Sequence, residues 1–204
     1  HNQDGKPDSI SIFAEGFEKG MNIEISPEGH LYLVSASEVW VVYDHDNDGV
    51  SESRKKVLDM IQPDYVYAHA GLMGITFSHD GWMYISRGNV ASAGWKIEGT
   101  DGSSVSGYGD GGNIIKARPD GSQVQEVSTG FWNPFDLKFD EYGRLFAADN
   151  DPDSRGPNRL TYILPGSDYG YKSLYGGSGI HPYLAWNGEL QGTIPYTVGL
   201  GEAP

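Results

Sequence analysis

The chain has 204 residues, 14 of them basic and 28 acidic, and its formal net charge of −14 would repel nucleic-acid phosphates and anionic lipid head groups. It has no cysteine, which excludes a disulfide framework, a thiolate metal site and a cysteine nucleophile. Glycine is abundant at 29 residues, strong helix formers are scarce, and no apolar run reaches the roughly 18 residues of a membrane-spanning helix. The composition predicts an all-β protein without a nucleic-acid partner or a membrane span.

One pattern recurs three times along the chain: a strand, a turn with glycine, a second strand and, after a gap, a third strand. The predicted strands are 21–26, 31–34 and 39–43, then 74–78, 82–86 and 113–117, then 135–140, 145–148 and 159–163. The turn glycines Gly29, Gly81 and Gly143 lie 52 and 62 positions apart, close to the roughly 40–50 residues of a four-stranded propeller blade once insertions are allowed. We predict a β-propeller, because a β-sandwich would not repeat one hairpin three times in register.

A fourth strand completes each predicted blade. These strands are 56–58, 124–127 and 171–173, and the only helix candidate, 54–61, reads equally well as strand. The predicted blades are 9–60, 61–128 and 129–204. Since about three blades cannot close a ring, we expect either further blades outside this chain or self-association through the open blade edges.

Two polar, glycine-rich stretches, 89–112 and 149–158, interrupt the second and third blades. We expect them on one face of the propeller, where such folds bind ligands. Residues 107–112 satisfy G-x-G-x-x-G, but a strand follows them instead of the helix that dinucleotide binding requires. We interpret 107–112 as a plain flexible insertion, and the absence of a G-x-S-x-G motif gives no support for serine hydrolase chemistry.

The sharpest functional signal is the acidic loop 44–52, which follows the third strand of the first copy. Its carboxylates alternate along the chain, which places oxygens around a hard cation, and Gly49 allows the sharp turn. The twelfth position, where an EF-hand needs glutamate, is Lys55, so the loop resembles the nine-residue calcium loops between strands of other propellers. We predict calcium, against the alternative of a solvated Asp-rich turn. The predicted ligands are Asp44, Asp46, Asp48, Glu52 and the carbonyl of Val50.

The first eight residues repeat this loop without its opening aspartate. Asn2, Asp4 and Asp8 would be the ligands of a second calcium site if the missing residue were supplied. The other end, 200–204, stops without a closing strand, so we expect the chain to be truncated at both ends.

Three segments resemble the signature of the glucose/sorbosone dehydrogenase family, in the same order and spacing. They are Thr129–Asp140, Gly143–Pro152 and Leu164–Tyr171. Within that superfamily, the acidic loop 44–52, the turn 79–84 and the stretch 150–156 are most similar to propellers described as membrane-bound dehydrogenases in planctomycete-like bacteria.

The resemblance implies a six-bladed propeller with pyrroloquinoline quinone on its axis and calcium beneath it, oxidising a sugar or alcohol by hydride transfer. His69 is similar to the family's catalytic base, and a neutral imidazole suits that task; the alternative is a rim histidine with a structural hydrogen bond. Asp151 and Pro152 match the loop whose carbonyls hold the quinone's calcium, and Asn133 matches a cofactor-contacting asparagine.

One position departs from the family pattern. The arginine that pairs with the cofactor's carboxylates is Trp132 in this chain, and an indole cannot make a bidentate charged contact. Either Arg155, Arg144 or Arg87 takes its place, or the quinone is not used. Trp132 itself is either blade packing or a surface that stacks on a sugar or quinone.

Two functions remain open from the sequence. One is a periplasmic or secreted oxidoreductase for a sugar or alcohol, with calcium, pyrroloquinoline quinone and a fused or separate c-type cytochrome as electron acceptor. The other is a non-catalytic, calcium-stabilised propeller that binds polysaccharide or protein. Trp132 favours the second, whereas His69 with Asp151 and Pro152 favours the first.

Overall fold

The computed structural model describes residues 4–67, 70–90, 93–109, 111–150, 158–169 and 171. Within these ranges the chain forms strands, and no described helix has the length and apolar character needed to cross a membrane. The strands are β1 (Gly20–Ile25), β2 (Leu31–Ser35), β3 (Glu38–Tyr43), β4 (Ser53–Gln62), β5 (Leu72–Phe77), β6 (Met83–Arg87), β7 (Gly94–Gly99), β8 (Ser104–Tyr108), β9 (Gly112–Ala117), β10 (Gln125–Phe131), β11 (Pro134–Phe139), β12 (Leu145–Asp149) and β13 (Arg159–Tyr162).

The strands form three antiparallel sheets, which we call the first, second and third blades. Their strand orders are β1-β2-β3-β4-β7-β8, β5-β6-β9-β10 and β11-β12-β13. Each blade therefore begins at an inner strand and adds successive strands of the repeat outward. This is the arrangement of propeller blades, so the predicted all-β propeller fold is confirmed.

The blades pack side by side, with their inner strands adjacent. Strand β5 contacts β1 on one side and β11 on the other. One hydrophobic cluster lies between the first two blades and includes Val41 and Ile85, and a second lies between the last two and includes Ile114 and Leu137. The inner strands approach so closely that a Cβ on Gly74 would lie 2.9 Å from the Cα of Asp136.

The three predicted hairpin turns share one geometry. They span Ser26–His30, Ser78–Trp82 and Asp140–Arg144, and in each the first N–H donates to the last carbonyl at 2.9, 2.9 and 3.0 Å. The last N–H donates to the side-chain oxygen of the first residue at 3.2, 3.0 and 2.8 Å. The glycine before the last residue has φ of +89°, +80° and +77°, which a side chain at that position would disfavour.

The predicted strands agree with the observed ones to within two residues at most ends, and 54–61 is strand, within the longer β4. The predicted fourth strand 124–127 is the start of β10. Of 171–173, only residue 171 lies within the described residues. The blade boundaries 9–60, 61–128 and 129–204 stay predictions.

The interpretation of 107–112 as part of a plain flexible insertion is wrong for its described residues. Residues 94–108 form the β7–β8 hairpin, and β7 pairs with β4, so the second blade's insertion extends the first blade's sheet. The cross-strand pair Trp95–Gly107 contributes to this order, because the indole packs against the glycine, where a Cβ would come within 2.6 Å of the ring. Gly107 is therefore required for aromatic packing rather than for flexibility.

Candidate functional site

The sheets have two ends with different loops. The turn face carries the three hairpin turns and the acidic loop 44–52, which joins β3 to β4. The loop face carries residues 36–37, the insertion that follows Arg87, and the connection 132–133 between the second and third blades. The predicted calcium loop therefore lies at the opposite end of the blades from Trp132 and Asn133, the predicted cofactor residues that the structure describes.

The acidic loop brings its carboxylates together. One ligand oxygen from each of Asp44, Asp46, Asp48 and Glu52 lies within 4.8 Å of all the others. Backbone hydrogen bonds fix this arrangement: the Gly49 N–H donates to Asp44 Oδ2 at 3.0 Å, and the His45 N–H donates to Glu52 Oε2 at 2.7 Å. The loop thus closes through both its first and its last carboxylate.

One oxygen in this loop is buried without compensation. Asp44 Oδ1 is inaccessible to solvent and has no hydrogen-bond partner in the described part of the chain. A buried carboxylate oxygen normally has a donor or a cation beside it, because desolvation without compensation is costly. Four converging carboxylates with such an oxygen form a set of hard, anionic ligands that suits calcium.

The second acidic segment keeps part of this loop's geometry. The Lys6 N–H donates to Asp4 Oδ1 at 2.9 Å, as the Val50 N–H donates to Asp48 Oδ1 at 2.8 Å. Asp4 and Asp8 are exposed, and no described cluster of metal-binding side chains includes them. Asn2 lies outside the described residues, so the second calcium site stays a prediction.

At the loop face, a fully buried carboxylate shapes the connection that holds Trp132 and Asn133. The N–H groups of these two residues donate to Asp149 Oδ1 at 3.1 and 2.9 Å. Arg159 donates to Asp149 Oδ2 through Nε at 3.2 Å and Nη2 at 2.5 Å. Complete burial raises the pKa of Asp149, and the ion pair with Arg159 and the two backbone donors oppose that rise.

Asn133 is held from both sides. Its Oδ1 accepts the Asn89 N–H at 3.1 Å, and its carbonyl accepts the Asn150 N–H at 3.1 Å. The carbonyl of Trp132 also accepts the Asn89 N–H, at 2.8 Å. The connection 132–133 therefore links the insertions of the second and third blades in a fixed geometry.

Trp132 is packed inside the protein in this structure. Its side chain is only 7% exposed, and its ring meets Tyr171 edge-to-face at 4.9 Å.

Of the arginines that could replace the family's arginine, Arg87 is fully buried and donates to Asn113 Oδ1 and to the carbonyls of Gly88 and Gly111.

Arg144 cannot serve either, because it lies at the turn face. It pairs with Asp140 at 2.6 Å, at the opposite end of the β11–β12 hairpin from Asp149. Arg155 lies outside the described residues, as do His69, Asp151 and Pro152, so their predicted roles stay predictions.

The buried pair Asp149–Arg159 was missed by the sequence analysis, although a signal was present. The two residues are cross-strand partners, at the end of β12 and the start of β13. Arg87 and Asn113 occupy the same positions in the second blade and also pair across strands. Aligning the blades residue by residue would have placed a polar pair at the loop-face end of each.

Comparison with known proteins identifies a family and some distant structures. Residues 1–175 match the model of the family described as "Domain of unknown function (DUF7133)". None of the curated proteins matches the chain. Among solved structures, it is similar to the PQQ-bound form of aldose sugar dehydrogenase from Streptomyces coelicolor, with 19% identity over 85% of this chain and 69% of that one and a TM-score of 0.39.

Two other solved structures are also similar. An oxidoreductase described as a glucose dehydrogenase, from Thermus thermophilus, is 16% identical over 90% of this chain and 72% of its own, with a TM-score of 0.43. The PQQ domain of pyranose dehydrogenase from Coprinopsis cinerea is 13% identical over 74% of this chain and 49% of its own, with a TM-score of 0.35. Because these likenesses are distant, we argue function from this chain's own residues.

Proposed function

The chain belongs to the DUF7133 family, and we propose that it is a calcium-binding β-propeller whose 44–52 loop holds the ion. The observation that carries this proposal is the set of four carboxylates within 4.8 Å of one another. The buried oxygen of Asp44, which has no donor among the described residues, adds an independent reason for a cation at this point.

The ligand chemistry favours calcium over other cations. All the candidate side-chain ligands are carboxylates, and the loop offers no cysteine and uses no histidine nitrogen among the clustered atoms. Oxygen ligands suit calcium and magnesium rather than zinc or copper. Calcium accepts six to eight oxygens in flexible geometry, and the carbonyl of Val50 and water would complete a shell that four carboxylates begin.

Calorimetric titration of the chelator-treated chain with calcium tests this proposal. We expect one binding event that is lost in Asp48→Asn, because the substitution removes one of the four negative charges. Asp59→Asn is the matched control, since Asp59 pairs with Lys56 at 2.5 Å outside the loop. The proposal fails if the unmodified chain shows no calcium binding, or if both variants bind it as well as the unmodified chain does.

A second candidate function is quinone-dependent oxidation of a sugar or alcohol by a periplasmic or secreted protein. The sequence resemblance over 129–171 supports it, and so does the fixed position of Asn133 at the loop face. Pyrroloquinoline quinone, when bound, would accept the hydride, and a c-type cytochrome would accept the electrons.

The described residues do not fit the quinone's carboxylates. Trp132 replaces the expected arginine, and the arginines at the loop face among the described residues, Arg87 and Arg159, are both fully buried and directed at protein acceptors. We therefore derive no catalytic step through the quinone. The same observation favours the alternative of a non-catalytic propeller that binds polysaccharide or protein at this face.

Adding pyrroloquinoline quinone and calcium to the chain distinguishes an oxidoreductase from a non-catalytic propeller. Oxidoreductase function predicts a quinone-dependent rise in melting temperature and dye reduction with at least one member of a sugar panel. Calcium-dependent stabilisation without either quinone effect would reject the oxidoreductase and leave the calcium-binding propeller.

A further inference from the structure

Residues 12–19, which we call the strap, cross the first blade without belonging to a strand. The carbonyl of Phe13 accepts the Ser51 N–H at 2.8 Å. Arg54 Nη1 donates to the carbonyls of Glu15 and Gly16 at 3.1 and 3.2 Å. Ser51 and Arg54 lie within two positions of Glu52, so the acidic loop and the first residues of β4 hold the strap.

Arg54 also fixes the side of the strap that faces the sheet. Its guanidinium lies 4.6 Å from the centre of the Phe17 ring and 5.1 Å from that of Trp40. The two rings meet edge-to-face at 6.1 Å. Trp40 is on the opposite side of β3 from the core residues Val39 and Val41, because side chains alternate along a strand. The guanidinium therefore contacts a ring of the strap and a ring of the sheet and joins the two at this point.

Elsewhere the strap is sparsely packed. A cavity of about 510 Å³ lies between the strap and residues 50–54. A second, of about 610 Å³, lies between the strap, the loop-face connection 36–37 and residues 60–66. Segments with few buried contacts open locally at much lower free energy than the core strands do. The strap is thus an element that few contacts hold in place, and several of them come from beside the acidic loop.

Cation binding in the acidic loop can strengthen the contacts that hold the strap. Without a cation, carboxylates within 4.8 Å of one another repel and favour a more open loop. A bound cation would fix the backbone from Asp44 to Glu52, and this backbone includes the Ser51 N–H that holds Phe13. Fixing Glu52 also fixes the start of β4, from which Arg54 extends.

We propose that cation binding in the 44–52 loop locks the strap onto the first blade and so forms one wall of the 610 Å³ cavity. The inference rests on the proposed calcium site. The loop is at the turn face, whereas the strap ends at the loop face, where the Lys19 carbonyl accepts the Ala36 N–H at 3.2 Å. Occupancy at one end of the blade would therefore control order at the other.

Hydrogen exchange on the full chain, with calcium or with a chelator, tests the proposal. We expect the amide of Ala36, which donates to the Lys19 carbonyl of the strap, to exchange at least about tenfold more slowly with calcium, and those of 72–77 in the core strand β5 to change little. Arg54→Met should still bind calcium but lose most of this protection at Ala36. Lys55→Met is the matched control, because the neighbouring Lys55 side chain is exposed and makes no contact with the strap among the described contacts; it should keep the protection.

The outcomes separate this inference from the calcium site itself. Calcium binding by calorimetry without slower exchange of the Ala36 amide would overturn the strap proposal and leave the calcium site standing. Equal protection in Arg54→Met and in the unmodified chain would overturn the link through Arg54. Absence of calcium binding would overturn both.

Discussion

Replacing Asp149 by asparagine should be the most damaging conservative substitution at the loop face. The carboxylate is fully buried and accepts four N–H groups, two from the backbone of 132–133 and two from Arg159. Asparagine would put an NH₂ group where one acceptor oxygen stands, and Arg159 would remain buried without an anion. Removing one partner of a buried ion pair costs about 3–5 kcal/mol. In a chain of this size that loss corresponds to a drop in melting temperature of roughly 6–20 °C.

Urea denaturation of four proteins measures this effect: the unmodified chain, Asp149→Asn, Arg159→Met and the double variant. The double variant should lose less stability than the two single losses added together, because neither charge is then buried alone. Asp140→Asn is the control, since Asp140 forms the same kind of pair with Arg144 in an exposed turn and should matter far less. A loss below about 1 kcal/mol for Asp149→Asn, or strict additivity, would refute the reasoning.

Two further substitutions test the packing between and beyond the blades. Gly107→Ala should destabilise the β7–β8 hairpin by about 1–3 kcal/mol, because the new Cβ would meet the Trp95 ring at 2.6 Å. Gly94→Ala is the control and should be tolerated, since its Cβ would have no atom nearer than 4.0 Å. Equal hydrogen exchange of 94–108 in both variants would contradict this prediction. Ser86→Ala should lower the free energy of unfolding in urea by about 1–3 kcal/mol, because the buried hydroxyl links β5 to β11. It accepts the Gly74 N–H and donates to the Pro134 carbonyl at 2.6 Å. A loss no larger than that of Ser11→Ala, at an exposed serine, would count against this prediction.

The blade repeat could be predicted from the sequence because local chemistry specifies its turns. A serine or aspartate followed three positions later by glycine caps each hairpin, at Ser26, Ser78 and Asp140. The alternation of apolar residues then determines which face of each strand is buried. These signals are local, so reading the sequence in short windows was sufficient to find them.

The β7–β8 hairpin could not be predicted in the same way. Strand β7 alternates, with Trp95 and Ile97 buried, but β8 is mostly serine and glycine. The hairpin is stabilised by pairing with β4 and by the packing of Trp95 against Gly107. The pairing with β4 depends on the packing of one blade's insertion against another blade. Composition alone favours a loop for such a segment.

The two candidate sites differ in the same way, one being formed by residues close together in the sequence and the other by residues far apart. The acidic loop is local in sequence, and the structure brings the predicted side chains Asp44, Asp46, Asp48 and Glu52 together. The loop-face cluster is not local, because Asp149 organises residues 132–133 and is itself held by Arg159. The family motif singled out Asn133 as a candidate cofactor contact, but it could not show that the side chain of Trp132 is packed against Tyr171.

A crystal structure of the chain grown with calcium, with anomalous data collected, would show whether the 44–52 loop binds the ion. We expect one anomalous peak between Asp44, Asp46, Asp48 and Glu52, with oxygen ligands at about 2.3–2.6 Å that include the Val50 carbonyl. A loop that keeps its four carboxylates together in saturating calcium, yet shows no such peak, would contradict it.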